Sequence, residues 1–286
     1  MTSQPAPGDQ GAAALPPAPI PPVADTFLSK ELPKVGLILG PGGMKTYAHI
    51  GVLREFARAR IPVHAVAGLE WGAMMAAFYA EKGQANDVDW KAFRLKESDV
   101  PGAGMLRGYR AKSIGDFDSY LSTAFSGASA GLSADRAKVP FGCPSVVKRD
   151  KFQFLSKGAM KELMLRCVPF PPLVGDSENI AAASAVEESA QWLRSQGANL
   201  IVLVNVLGGG ETLTSKLAEE QYGTSVLWTE VRRDILKVRA PTVNWVVSVN
   251  TAGQKIDDFG GRRAAVEAGV KAATDLTQKL SKQYGF

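Results

Sequence analysis

Residues 34–80, KVGLILGPGGMKTYAHIGVLREFARARIPVHAVAGLEWGAMMAAFYA, constrain the fold more than any other stretch of the chain. Val35, Leu37 and Leu39 lie in a continuous apolar run of strand length that ends in Gly40-Pro41-Gly42-Gly43, the pattern of a buried parallel strand feeding a glycine-rich turn. Ile50, Leu53 and Phe56 then recur at helical spacing. Arg54, Arg58 and Arg60 point outward or fall at the C-terminal end, where cations favour the helix dipole. Val63 to Gly68 predicts a second strand, and Trp71 to Lys82 a second helix ended by Gly83. The product is a βαβα unit with a right-handed crossover.

The remainder repeats this alternation less regularly. Helical patterns fall at Val88 to Leu95, at Ser113 to Phe125 and at Met160 to Cys167, the last stopped by Pro169; another ends at Gln191 to Arg194, before Gly197. Val139 to Val147 and Phe152 to Leu155 predict a hairpin across the charged turn Lys148 to Lys151, and Gly127 to Gly131 predicts a flexible turn. Leu200 to Val206, LIVLVNV, is the clearest buried strand, followed by a mostly helical Glu211 to Lys237, a strand at Trp245 to Val249 and a helix at Arg262 to Lys282. Strands alternating with helices argue for an α/β fold, a three-layer α/β/α sandwich around a mainly parallel sheet.

Residues 1–33 stand apart. Their Pro- and Ala-rich composition lacks periodic apolar spacing, which predicts an extended tether, with residues 34–286 forming one α/β domain. The tether has no basic start and no apolar run of signal-peptide length. A Pro/Ala tether directly after Met1 is what remains when an export signal or lipoprotein leader is replaced by a start codon. Localisation therefore stands open between a bacterial envelope protein, exported or lipid-anchored, and a cytoplasmic one. Membrane association through the tether and self-association into a homo-oligomer are both compatible with the sequence.

The 286 residues are 45% hydrophobic and 21% charged, enough to bury a substantial core. A formal charge of +5 is spread among acids, apart from short clusters at Arg107 to Lys112 and Lys148 to Lys151, so a solvated basic face is expected and no nucleic-acid partner. Cys143 and Cys167 are too far apart for a Cys-x-x-Cys motif, and only His49 and His64 exist to join them. No metal site and no cofactor are expected, and whether the two cysteines pair is open.

The segment Leu39-Gly-Pro-Gly-Gly-Met-Lys-Thr-Tyr-Ala-His-Ile-Gly-Val-Leu53 resembles the start of the patatin-like phospholipases, with their run of glycines, one basic residue and an Ala-His-x-Gly-Val-Leu helix. The resemblance continues through the turn Gly68 to Gly72, the stretch Met160 to Leu173, Gly197-Ala198-Asn199 before the LIVLVNV strand, and Ile256 to Phe259 leading into Ala268-Gly269. It implies an acyl hydrolase scaffold with a Ser-Asp dyad and a glycine-loop oxyanion hole. Gly42, Gly43 and Lys45 stand where that oxyanion hole would be, while Pro41 replaces one usual glycine and removes a donor. A tight strand-to-helix turn without any ligand is the plainer account of the same glycines.

The dyad itself is absent. In the elbow pattern G-x-S-x-G, the serine position between Gly68 and Gly72 holds Glu70. Counting back from Gly197-Ala198, the family's aspartate falls on Ala181. Asp176 and Glu178 read as solvated turn acids, Ser184 as a small turn residue, and His49 and His64 as packed or capping histidines. Two functions follow from this pattern. One is an inactive patatin-like pseudoenzyme that binds a protein partner, a lipid or another small ligand, with Glu70 filling the former anion site and Lys45 adding an ion pair. The other is a hydrolase that uses Glu70 in a changed mechanism.

Overall fold

The computed structural model describes residues 31–100, 115–126, 129–148, 150–176, 178–208, 214–222 and 226–286. The tether up to residue 30, the loop after Val100, the basic cluster Arg107 to Lys112 and the first residues of the helix expected from Ser113 lie outside them. Leu32–Phe286 forms one compact unit.

Alternation along the central strands explains the layers. In β1 (Val35–Leu39), Val35, Leu37 and Leu39 join one apolar cluster and Ile38 joins the other. In β6 (Leu200–Asn205), Leu200, Val202 and Val204 face the first cluster while Ile201 and Leu203 face the second. A strand apolar on both sides must be covered on both sides. The first face is covered by α1 (Ala48–Arg58), α2 (Trp71–Lys82) and α9 (Arg262–Tyr284), among others, and the second by α6 (Val186–Ser195) and α8 (Val226–Lys237). The expected three-layer α/β/α sandwich is the observed one.

Six of the seven strands of the described sheet run in the order β4-β3-β2-β1-β6-β7. Here β2 is Val63–Gly68, β3 Phe141–Val147, β4 Lys151–Leu155 and β7 Trp245–Ser248. Pairs β1–β2, β1–β6, β2–β3 and β6–β7 are parallel, and β4 pairs antiparallel with β3 as the expected hairpin. A short strand that the sequence did not reveal, β5 (Asn179–Ala181), also pairs antiparallel with β3. The long helical stretch expected before β7 is two helices, α7 (Ser215–Tyr222) and α8. The remaining helices are α3 (Ala85–Phe93), α4 (Gly115–Ala124) and α5 (Met160–Cys167). Cys143 on β3 and Cys167 at the end of α5 form a disulfide, their Cα atoms 6.1 Å apart.

Helix α9 approaches α1 almost backbone to backbone. A Cβ on Gly51 would lie 2.0 Å from the Val266 carbonyl oxygen, and one on Gly269 would lie 1.9 Å from that of Ala48. Neither neighbour is a flexible side chain that can swing away. Gly51→Ala is therefore expected to lower stability by about 1–3 kcal/mol, the usual cost of overpacking a filled interior, measurable as a lower urea midpoint at unchanged slope. An unaltered midpoint would show that α9 sits more loosely on α1 than these distances allow.

Candidate functional site

Two chain turns meet at the C-terminal ends of β1 and β2, whose parallel register sets Leu39 beside Gly68. The first runs from Leu39 through Gly40 to Gly42 into a 3₁₀ turn, Gly43–Tyr47, and then α1. Gly40 donates its N–H to Val204 O at 3.0 Å, and a Cβ there would strike that oxygen at 2.5 Å. Gly43 has φ 55°, the left-handed region that favours glycine, and a Cβ would lie 2.3 Å from Ile256 O. These contacts aim the N–H groups of Gly42 and Gly43 in one direction.

The second turn is an elbow from β2 into α2. Glu70 sits at its apex with φ 53° and ψ −128°, a conformation that side-chain-bearing residues rarely adopt. The flanking glycines let the chain turn this sharply. A Cβ on Gly68 would lie 2.3 Å from Ala73 Cα, and one on Gly72 would lie 2.2 Å from Leu39 O. Leu69 N–H donates to Leu39 O at 2.9 Å, tying the elbow to the end of β1.

The strained geometry delivers the Glu70 carboxyl to the glycine loop. Its Oε2 accepts hydrogen bonds from Gly42 N–H and Gly43 N–H, each at 3.0 Å. The residue is 0% exposed, and among the described residues Oε1 has no hydrogen-bond partner. Burial pushes the carboxyl up to about 8, against the pull of the Gly42, Gly43 and Trp71 amides.

The other residues singled out from the sequence are placed as follows. Lys45 is buried and its Nζ donates to Gln221 Oε1 at 3.0 Å, a partner on α7 that sequence spacing did not suggest. Gln221 O in turn accepts from Ile256 N–H, and Ile256 O from Met44 N–H at 2.6 Å, so α7 and the Ile256 turn brace the glycine loop. No periodic signal marks Gln221, which lies 176 residues from Lys45. Ala181 is a buried methyl on β5 whose N–H donates to Pro169 O at 2.7 Å. Asp176 accepts from Glu178 N–H and from Asn179 Nδ2, as a turn acid does, and Ser184 is exposed. His49 is fully buried and its Nε2 pairs with Gly40 O at 2.8 Å, with burial holding the ring down at about 4 and so neutral. His64 Nε2 pairs with Gln196 O. Among the described residues no group of three His, Cys, Asp or Glu residues is placed to hold a metal ion, and no helix is long and apolar enough to cross a membrane.

In this fold the glycine loop follows β1, the elbow follows β2, and the two meet. No family model matches the chain. The neuropathy target esterases sws of Drosophila melanogaster and Drosophila erecta are each 41% identical to it over 58 residues, 20% of this chain. The chain spans 4% of the length of these curated relatives. Among solved structures, VipD from Legionella pneumophila is 12% identical, with a TM-score of 0.47 over 89% of this chain and 67% of that one. The type III effector protein ExoU is 11% identical, with a TM-score of 0.41 over 87% of this chain and 53% of that one.

A folded-state value of about 8, above the reference carboxylate, fixes the sign of a pH effect. Between the unfolded and folded values the folded chain holds a proton that the unfolded chain has released, so stability falls as pH rises. Wild type is expected to lose stability relative to Glu70→Gln as pH climbs from roughly 5 to 8, read by urea denaturation of both across that range. A constant difference between the two would show that the carboxyl stays ionised throughout.

Proposed function

We propose that this chain is a non-hydrolytic, patatin-like binding module, in which Glu70 occupies the anion site that would otherwise hold a reacting carbonyl oxygen. The observation that carries this reading is the pair of 3.0 Å hydrogen bonds from Gly42 and Gly43 to one buried carboxyl oxygen. Donors in an oxyanion hole act by meeting charge as it develops on substrate, and donors already spent on a side chain have none to offer. The position of the base supports the same conclusion. Ala181 carries no proton acceptor, and its methyl is packed in the second apolar cluster. The module's ligand is a lipid-like molecule or a protein partner, and organic extraction of the purified protein separates the two. The disulfide between Cys143 and Cys167 favours an oxidising compartment, in keeping with export.

One observation favours a second reading, a hydrolase working through Glu70. A carboxyl raised to about 8 exchanges protons near neutral pH, as a general acid or base must. Chemistry weighs against it. A carboxylate attacking an ester is a far better leaving group than the alkoxide it must expel, so the adduct returns to starting materials. Glu70 is also fully enclosed.

Hydrolysis of short-chain esters and phospholipids decides between them. Wild type is expected to turn over no faster than Glu70→Ala, and Glu70→Ser alone is expected to restore no turnover, because Ala181 still supplies no base. Wild-type hydrolysis above the Glu70→Ala rate would overturn the binding reading and leave the Glu70 hydrolase standing.

A further inference from the structure

We propose that the outer edge of β7 is a docking site for an extended, acid-bearing peptide segment of a partner protein, which adds to the sheet as a further strand. The inference stands apart from the Glu70 site and does not depend on it. Strand β7 is last in the sheet order and pairs with β6 on one side, from Trp245 beside Val202 to Ser248 beside Asn205. Among the described residues no strand pairs with its other side. Such an edge presents a row of N–H and C=O groups, and sheet proteins commonly blunt it with Lys, Pro or an inward charge. The sequence Trp245-Val-Val-Ser248 has none of these, whereas β4 at the opposite edge begins with Lys151.

The side chains beside this edge show what would fit. Register sets Val246 beside Leu203, on the face where Leu203 and Ile201 are buried with α8 residues. Helix α8 ends at Lys237, and Val246 is left 41% exposed. A groove of about 480 Å³ results, lined by Ile235, Leu236, Val238, Val243 and Val246. Among the described residues Arg239 is the one charged side chain lining it, held there by hydrogen bonds from its guanidinium to the Leu236 and Val238 carbonyls. An added strand pairs the edge groups, sends alternate apolar side chains toward Val246, and meets Arg239 with a carboxylate. A helix laid over the same edge covers those groups without pairing them, which carries a desolvation cost.

Random-sequence peptides displayed on phage and selected on the full chain test this directly. Peptides that alternate apolar and polar residues and carry an acid are expected. Their binding is expected to weaken at least roughly tenfold on both Val246→Lys and Arg239→Glu, with melting temperatures of the two variants confirming that they fold. Hydrogen exchange on the complex is expected to slow at residues 245–248. Selected peptides that bind the two variants as well as wild type, or that protect some other segment, overturn the proposal. Protection of 245–248 without peptide, together with self-association lost in Val246→Lys, makes a second copy of the chain the occupant and overturns it as well.

Discussion

The structure is organised around one carboxyl group accepting two backbone N–H groups in a place with no access to water. A buried acceptor or donor left unpaired costs more than a hydrogen bond yields, so each side of this arrangement requires the other. Glu70 without the glycine loop would be a buried acid lacking partners, and Gly42 and Gly43 without Glu70 would be two orphaned donors. The positive φ of Glu70 is the strain that brings the groups together. It is tolerated because Gly68 and Gly72 allow backbone contacts that no side chain would permit.

Around this centre the fold adds bracing from distant parts of the chain. Gln221 on α7 holds Lys45 through its side chain and Ile256 through its carbonyl, and Ile256 holds Met44 at the start of the helical turn. The disulfide joins α5 to β3, the strand that also pairs with β5 and so positions Ala181. The Glu70 site is thus a packing centre. Its donors are satisfied internally by Glu70, and Ala181 contributes a methyl group to the second apolar cluster.

Much of this was legible in the sequence, for local reasons. The apolar runs of β1, β2 and β6 and the glycines at both turns are short-range signals, and they located the loop, the elbow and the central βαβα unit. The resemblance implies that Glu70 and Ala181 stand at the dyad positions, and a glycine loop next to a helix start offers a carboxylate its backbone donors. The elements less well read were those whose cause is remote. Strand β5 is three residues long and exists because β3 offers it an edge. The partner of Lys45 and the groove beside β7 likewise follow from neighbours far away in sequence.

By itself, then, the amino-acid sequence determined the layered α/β architecture, the two turns and the identities of Glu70 and Ala181 within them, because periodicity, glycine placement and residue identity are properties of short segments. Only the tertiary structure decided that the Glu70 carboxyl reaches the Gly42 and Gly43 amides, that Cys143 and Cys167 pair, and that Lys45 turns to Gln221. Those outcomes depend on distances between segments up to 176 residues apart, which parallel pairing and helix packing set and which no local pattern encodes.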